Sequence, residues 1–336
     1  MNEKRVLFLG LLASAMLASE VNLYTARHYD ADQKIYDAFE KKTGIKVKAT
    51  QAKASELIKK LEIEGASSSA DLFITADVGN LYSAKQKGVL QKVNSEYLEK
   101  TIPQNLRDID SQWFAVTKRA RVIVYSKDRF DPAKMGLKNY EDLGNSNLKG
   151  KLLIRSGTAG YNTTLIASLI AHNGEEKTLE LSKSIVSNFA RAPKGGDRDQ
   201  IKAIFAGEGD VALVNTYYIG LMLNSPKAND VDAAKSIGII FPDQDSYGTH
   251  VNISGVALTK ASKNRENAIK FMEFLLSPEA QEIITNINYE YPVNKDVKPS
   301  QTTANFGEFK ADEISLSKVS ENIKKAVFLV DQAGWK

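Results

Sequence analysis

Three β-prone runs alternate with segments of helical period over the first part of the chain, and this order restricts the fold more than any other feature. "VNLYTA" (21–26) is apolar and strand-like. "DADQKIYDAFEKKTG" follows, with Ile35, Ala38 and Phe39 on one helical face and Gly44 as its stop. "IKVKATQA" alternates as a strand does, and "SELIKKLEIEG" turns Leu57, Ile58 and Leu61 inward as a helix. "ADLFITA" has so little polar content that it predicts a strand buried on both sides, and "GNLYSAKQKG" is a further helix. Strand, helix and strand joined by short links are the signature of a parallel sheet covered by helices.

The pattern then changes. "WFAVTKRARVIVYSK" (113–127) is a β-prone stretch with no helix break, long enough to cross between two lobes. "KGKLLIRSG" predicts a strand and "YNTTLIASLIAHNG" a helix, while "DRDQIKAIFAGEGDVALVNTYYIGLML" gives helix, turn, strand and helix. "SIGIIFPDQ" and "HVNISGVALTK" predict strands, the second able to cross back. "NRENAIKFMEFLLSPEAQEIITN" places Ile269, Met272 and Leu275 at helical spacing, then restarts at Ser277-Pro278, a cap and first-turn pair. The expected fold is therefore α/β, with two lobes, an interlobe cleft and hinge crossings. The first lobe is predicted over 20–117 plus 250–290 and the second over 118–249 plus 291–336. Such clefts are favoured ligand sites, and ligands of parallel sheets sit beyond the carboxyl ends of the strands.

Composition excludes several classes. The formal net charge of +4 over 336 residues is small, and the basic residues are interspersed with acids, so no nucleic-acid surface is expected. The absence of cysteine removes disulfides, thiolate zinc sites, iron–sulfur clusters and cysteine nucleophiles. Residues 1–19 predict a secretory signal peptide: Lys4 and Arg5 open it, an apolar run from Val6 to Leu17 follows, and small residues allow cleavage after Ala15 or near Ala18 to Ser19. The run is shorter than the roughly 20 apolar residues that span a bilayer. These features suit an exported, soluble protein of a bacterial periplasm, without a lipid anchor on cysteine.

The chemistry concentrates at three strand-to-helix corners. Tyr217 and Tyr218 follow the strand "DVALV", Tyr161 follows "KLLIR" across the turn "SGTAG", and His28 and Tyr29 follow "VNLYTA". A lone Tyr-Tyr pair ordinarily packs one ring inward and turns the other to water; three corners drawn from both lobes suggest convergence instead. A phenol has a pKa near 10 and ligates poorly until a cation removes its proton, which a trivalent hard cation can do. Soft metals would ask for Cys or Met, and zinc for more His or Cys. Three phenolates neutralise a ferric ion, and His28 can add a neutral nitrogen. Arg27 and the group Lys118, Arg119 and Arg121 are either surface charges or cleft residues that hold phenolates or a carbonate-like anion. His172 and His250 read as structural, and "SGTAG", with Gly157 and Gly160, matches no nucleotide-loop pattern. "DRD" (197–199) suits helix capping better than acid catalysis, and no nucleophile elbow, G-x-G-x-x-G or H-E-x-x-H occurs. An enzyme is not expected.

"LYTARHYD", "SGTAGYN", "VNTYYIG" and "KFMEFLLSPEAQ" together resemble the periplasmic ferric-ion-binding proteins of bacterial ABC iron importers, over essentially the whole chain after residue 19. "FLLSPEAQ" is shared widely by extracellular solute-binding proteins; the Tyr-Tyr pair with His-Tyr after the first strand is more specific. The resemblance implies a hinged two-lobed fold that closes on ferric iron and delivers it to an ABC transporter permease of the inner membrane, as a monomer. It implies Tyr217, Tyr218, Tyr161 and Tyr29 as iron ligands, with His28 joining or standing aside; Arg27 and Arg121 are expected, from their place beside these corners, to support them from behind. Some relatives place a glutamate after the third strand; here the context is "ITADVG", with Ala76 at that place and Asp77 next. The chain thus resembles a tyrosine-rich subgroup, in which charge counting does not require a synergistic anion such as carbonate. The rival expectations are a cleft for another solute (a polyamine, thiamine or an organic anion) with the tyrosines as an aromatic wall, or a secreted hydrolase on a similar fold.

Overall fold

A computed structural model describes residues 19–336. The expected signal peptide therefore lies, apart from Ser19, outside the described residues. Among the described residues nine strands form: β1 (Glu20–Thr25), β2 (Lys46–Gln51), β3 (Leu72–Ala76), β4 (Phe114–Ser126), β5 (Leu152–Leu153), β6 (Val211–Asn215), β7 (Ile237–Ile240), β8 (Val251–Leu258) and β9 (Tyr291–Pro292). They follow the order β2-β1-β3-β8-β4-β6-β5, with β7 and β9 also on β4. The opening β-α-β-α-β segment folds as its sequence predicts. β1 pairs in parallel with β2 on one side and β3 on the other. β3 is buried from Leu72 to Thr75, as its apolar run requires, whereas β2, with its alternating lysines, is an exposed edge.

The strand expected to cross between lobes does so. β4 pairs with β8 over Phe114–Ala120 and with β6 over Arg121–Tyr125, so one strand serves two sheets. All its pairings are antiparallel, which makes the whole a mixed arrangement rather than a parallel one. β8 itself stays with β3 and β4. The return between sheets lies just before it, where the amide of Arg121 donates to the carbonyl of His250 at 3.0 Å. The expected strand over "KGKLLIRSG" shortens to Leu152–Leu153, because the backbone then turns out toward the helix Gly160–Asn173.

Helix ends follow local chemistry. Gly44 closes the helix Asp30–Thr43 at φ 71°. Ser277 caps the helix Pro278–Asn288 by accepting from the amide of Ala280 at 3.3 Å, as the Ser-Pro pair predicts. In the helix Arg265–Leu275 the buried face is Ala268, Phe271, Met272 and Leu275, and Ile269 is only half-buried. The helices Leu316–Glu321 and Ile323–Gln332 pack on Gly160–Asn173, and the first also meets Val78–Gln86. Among the described residues no helix is long and apolar enough to cross a membrane.

Candidate metal centre

Each tyrosine corner becomes the first turn of a helix. Tyr29 is the N-cap of Asp30–Thr43, Tyr161 is the second residue of Gly160–Asn173, and Tyr217 and Tyr218 are the second and third of Thr216–Leu223. β6 ends at Asn215 and the helix begins at once, so two adjacent side chains that would diverge in a strand both turn toward the cleft. Each of these phenols thus stands at the positive end of its helix, which favours anionic oxygen there.

The phenols converge. Tyr161 Oη lies 3.2 Å from Tyr217 Oη, and Tyr29 Oη donates to Tyr217 Oη at 3.4 Å. The Tyr217 and Tyr218 rings sit 4.1 Å apart between centroids. Tyr217 is only 1% exposed yet stands outside the apolar core cluster, because its hydroxyl faces the other phenols and not the core. Since Tyr29 comes from the β1 sheet and the other three from the β5–β6 sheet, the cleft is closed in this arrangement. His28 is exposed, its ring stacked on that of Tyr29 at 5.1 Å. It lines, with Tyr29, Tyr218, Arg155, Arg198 and Lys202, an open cavity of about 510 Å³ beside the phenols.

Guanidinium groups lie over the rings. Arg27 sits 4.8 Å from the Tyr29 centroid, Arg119 and Arg155 sit 5.3 and 5.1 Å from that of Tyr161, and Arg198 sits 5.6 Å from that of Tyr218. Buried carboxylates hold three of them, Arg27, Arg119 and Arg155. Glu290 lies between Arg27 Nη1 at 3.2 Å and Arg119 Nη1 at 3.6 Å, and Arg27 also pairs with Asp32 at 3.0 Å. Asp197 pairs with Arg121 at 2.6 Å and Arg155 at 3.1 Å and accepts from the amide of Asn215 at 2.7 Å. Arg121 therefore faces Asp197 and Asn162 rather than a phenol, and Arg119 takes the place beside Tyr161.

The "DRD" segment divides its labour. Asp199 accepts from the amide of Gly196 at 2.7 Å, a helix-start role, while Asp197 is the buried hub. Arg155, Arg198, Asp197 and Glu290 escape sequence reasoning. Their partners lie far along the chain, and an acid in a first helical turn looks the same whether it caps or pairs. The two glycines of "SGTAG" do not form a phosphate cradle. A β-carbon on Gly157 would collide with the Trp335 carbonyl, and one on Gly160 would lie 3.4 Å from the Asp77 carboxylate.

Burial pushes the Tyr29 phenol up to about 12, Tyr161 and Glu290 adding to the effect and Arg27 opposing it. Burial likewise raises Tyr217 and Tyr218 well above the ordinary phenol value, with the neighbouring phenols adding to it. The metal-free site thus keeps Tyr29, Tyr217 and Tyr218 protonated, and only a strongly charged cation reverses that order. Burial alone would raise Glu290, but Arg27 and Arg119 hold it below the usual carboxylate range. Among the described residues no three His, Cys, Asp or Glu side chains cluster to hold a metal. The groups that do converge carry phenolic oxygen, the preference of a hard, highly charged ion.

A two-lobed fold with its donors in the cleft between sheets defines a binding protein of the periplasmic type. The sequence profile of the bacterial extracellular solute-binding proteins matches residues 24–282, and the chain belongs to that family. Within it, the chain is 45% identical to iron uptake protein A1 of Synechocystis, covering 94% of this chain and 88% of that one. It superposes on the ferric binding protein of Campylobacter jejuni with a TM-score of 0.89 at 55% identity, covering 94% of this chain and all, 100%, of the other. It matches the FutA (IdiA) protein of Trichodesmium, solved with iron and citrate ligands, with a TM-score of 0.91 at 45% identity, covering 95% and 100% of the two chains.

Proposed function

We propose that this protein captures ferric iron in its interlobe cleft through tyrosinate oxygens and delivers it to the inner-membrane permease of an ABC transporter. The observation that carries the proposal is the convergence of Tyr29 and Tyr161 on Tyr217 within 3.4 Å, from opposite sides of a cleft that offers, among the described residues, no competing carboxylate or imidazole cluster. Iron-binding relatives that match nearly the whole chain support it.

In this proposal Tyr217, Tyr218 and Tyr161 first take the ion, and closure adds Tyr29. His28, at the rim on the Tyr29 ring, is the remaining donor. The lobes are 20–117 plus 250–290 and 118–249 plus 291–336, hinged where β4 changes partners. Three phenolates neutralise the ion, so an anion is not required. A carbonate or a citrate carboxylate that accompanied the iron would meet Arg155, Arg198 and Lys202 around the open cavity. The protein works as an exported monomer without catalytic turnover.

Each ligating phenol gives up a proton, so acidification releases the ion. Adding ferric citrate to the metal-free protein should produce a visible tyrosinate–iron charge-transfer band. The Tyr217→Phe, Tyr218→Phe double variant should lose it. A colourless wild type, or a double variant with the wild-type band, would refute the proposal.

A further inference from the structure

Asp77 is the first residue beyond β3, and its backbone is held at φ 79° and ψ 124°. A side chain makes that region costly, and a non-glycine residue stays there only when its surroundings over-determine it. Here they do. Asp77 is 4% exposed, and its carboxylate is fully engaged. Oδ1 accepts from the amide of Gly79 at 2.8 Å and from the hydroxyl of Thr164 at 2.8 Å, and Oδ2 accepts from Asn252 Nδ2 at 2.9 Å. The amide of Asp77 donates to the carbonyl of Ile253 at 2.9 Å.

Three of these partners are local to the β3–β8 pair. Gly79 is the second residue of the helix Val78–Gln86 that Asp77 caps, and Asn252 and Ile253 are in β8. Thr164 is not local. It is buried in the helix Gly160–Asn173, which follows β5 at the other end of the strand order, and it lies one turn beyond Tyr161. The carboxylate also seats close to Gly160, where a β-carbon would come within 3.4 Å of Oδ2. A negative charge is therefore set against the positive end of the helix that presents Tyr161. Glycine would relax the backbone at residue 77 but could not reach Thr164, which accounts for an aspartate in a glycine-like conformation.

We infer that Asp77 is an interlobe latch, a positioning residue that ties the Tyr161 helix to the β3–β8 half of the molecule when the cleft is closed and so sets how long the captured ion is retained. The inference rests on the ferric-binding proposal for what is retained, and on geometry alone for the closure. Asn252 braces the latch from behind, because its Oδ1 accepts from the amides of Val78 at 3.1 Å and Ile253 at 2.7 Å while its Nδ2 holds Asp77.

The test compares wild type, Thr164→Val, which keeps the shape and loses the donor, and Thr164→Ser, which keeps the donor. Each is loaded with ferric citrate, chased with excess desferrioxamine, and followed by the decay of the visible band. Small-angle scattering of the metal-free proteins runs beside it. The latch predicts the band in all three, release from Thr164→Val faster by roughly ten- to a hundred-fold, wild-type-like release from Thr164→Ser, and a more extended metal-free Thr164→Val. Equal release and equal scattering for Thr164→Val and wild type would overturn the latch. So would equal acceleration in both variants, which would indicate packing rather than a hydrogen bond. Absence of the band from wild type would sink the ferric proposal instead, and the scattering comparison would then decide the latch by itself.

Discussion

Tyr217 is the phenol on which the others converge, and its hydroxyl is shared between Tyr29 and Tyr161. Its corner and its neighbour Tyr218 are visible in the sequence, not from the pair alone but because three strand-to-helix corners each carry a phenol. The groups that stabilise it are not visible. Glu290 reaches Arg27 across 263 residues, and Asp197 reaches Arg121 across 76, distances at which no local pattern survives. His250 belongs to the same scale and to a different argument. It is buried with Nε2 unpartnered, and burial, then Arg121, Arg119 and His172, lower its pKa from 6.5 to about 3. The native state thus keeps His250 neutral while the unfolded chain protonates it near pH 6.5. Its contribution to stability is complete above that pH and is lost as the pH falls toward 3, by about 1.4 kcal/mol per unit. In melting curves of the metal-free protein between neutral and acid pH, His250→Gln should show a visibly flatter acid slope than wild type. Parallel slopes would mean that His250 is protonated in the fold.

At the scale of elements, the site depends on how short turns deliver strand ends into helix starts. The turn "SGTAG" brings Tyr161 to the cleft, and Gly157 lies against Trp335, whose indole donates to the Arg155 carbonyl at 3.1 Å. A methyl group at Gly157 would collide with the Trp335 backbone and ring, so either the turn or the last residues must move. Gly157→Ala should destabilise the protein by about 1–3 kcal/mol in denaturant unfolding and weaken iron binding as Tyr161 shifts, while leaving the Tyr217–Tyr218 corner able to bind. Unchanged stability and affinity would show that the turn yields at no cost. Existence and type of the major helices were legible from periodicity, and so was the burial of β3. The length of β5 was not, because "KLLIR" is as apolar as a longer strand and only the nearby turn ends it. The register shift in β4 between Ala115 and Thr117 was equally silent, since no single residue there demands it.

For the whole molecule, the decisive feature is that β4 serves two sheets and changes partners between Ala120 and Arg121. In the proposed closure, a motion about that point would separate Tyr29 from Tyr161 and Tyr217, and Asp77 from Thr164 as well. Iron should therefore compact the protein: small-angle scattering should give a smaller radius of gyration with ferric citrate than without, and the difference should shrink in Tyr29→Phe, which removes the contribution of the β1 sheet to the ion. No iron-dependent change in wild type would place closure before binding and refute capture by the open form.

What the sequence determined by itself was the kind of donor and the kind of scaffold. Strand–helix alternation dictates an α/β fold, an unbroken β-run dictates a crossing, and the absence of cysteine beside recurrent corner tyrosines directs the chemistry toward hard oxygen. These are properties of neighbouring residues, governed by local backbone sterics and side-chain type. Only the tertiary structure decided which charges stand around the phenols and what clasps the cleft. The four guanidinium groups over the rings, the carboxylate of Glu290 between two of them, and the strained Asp77 reaching Thr164 all depend on groups brought together from distant parts of the chain. The physical reason is that electrostatic and hydrogen-bond energies depend on separation in space and on burial, and a linear order records neither.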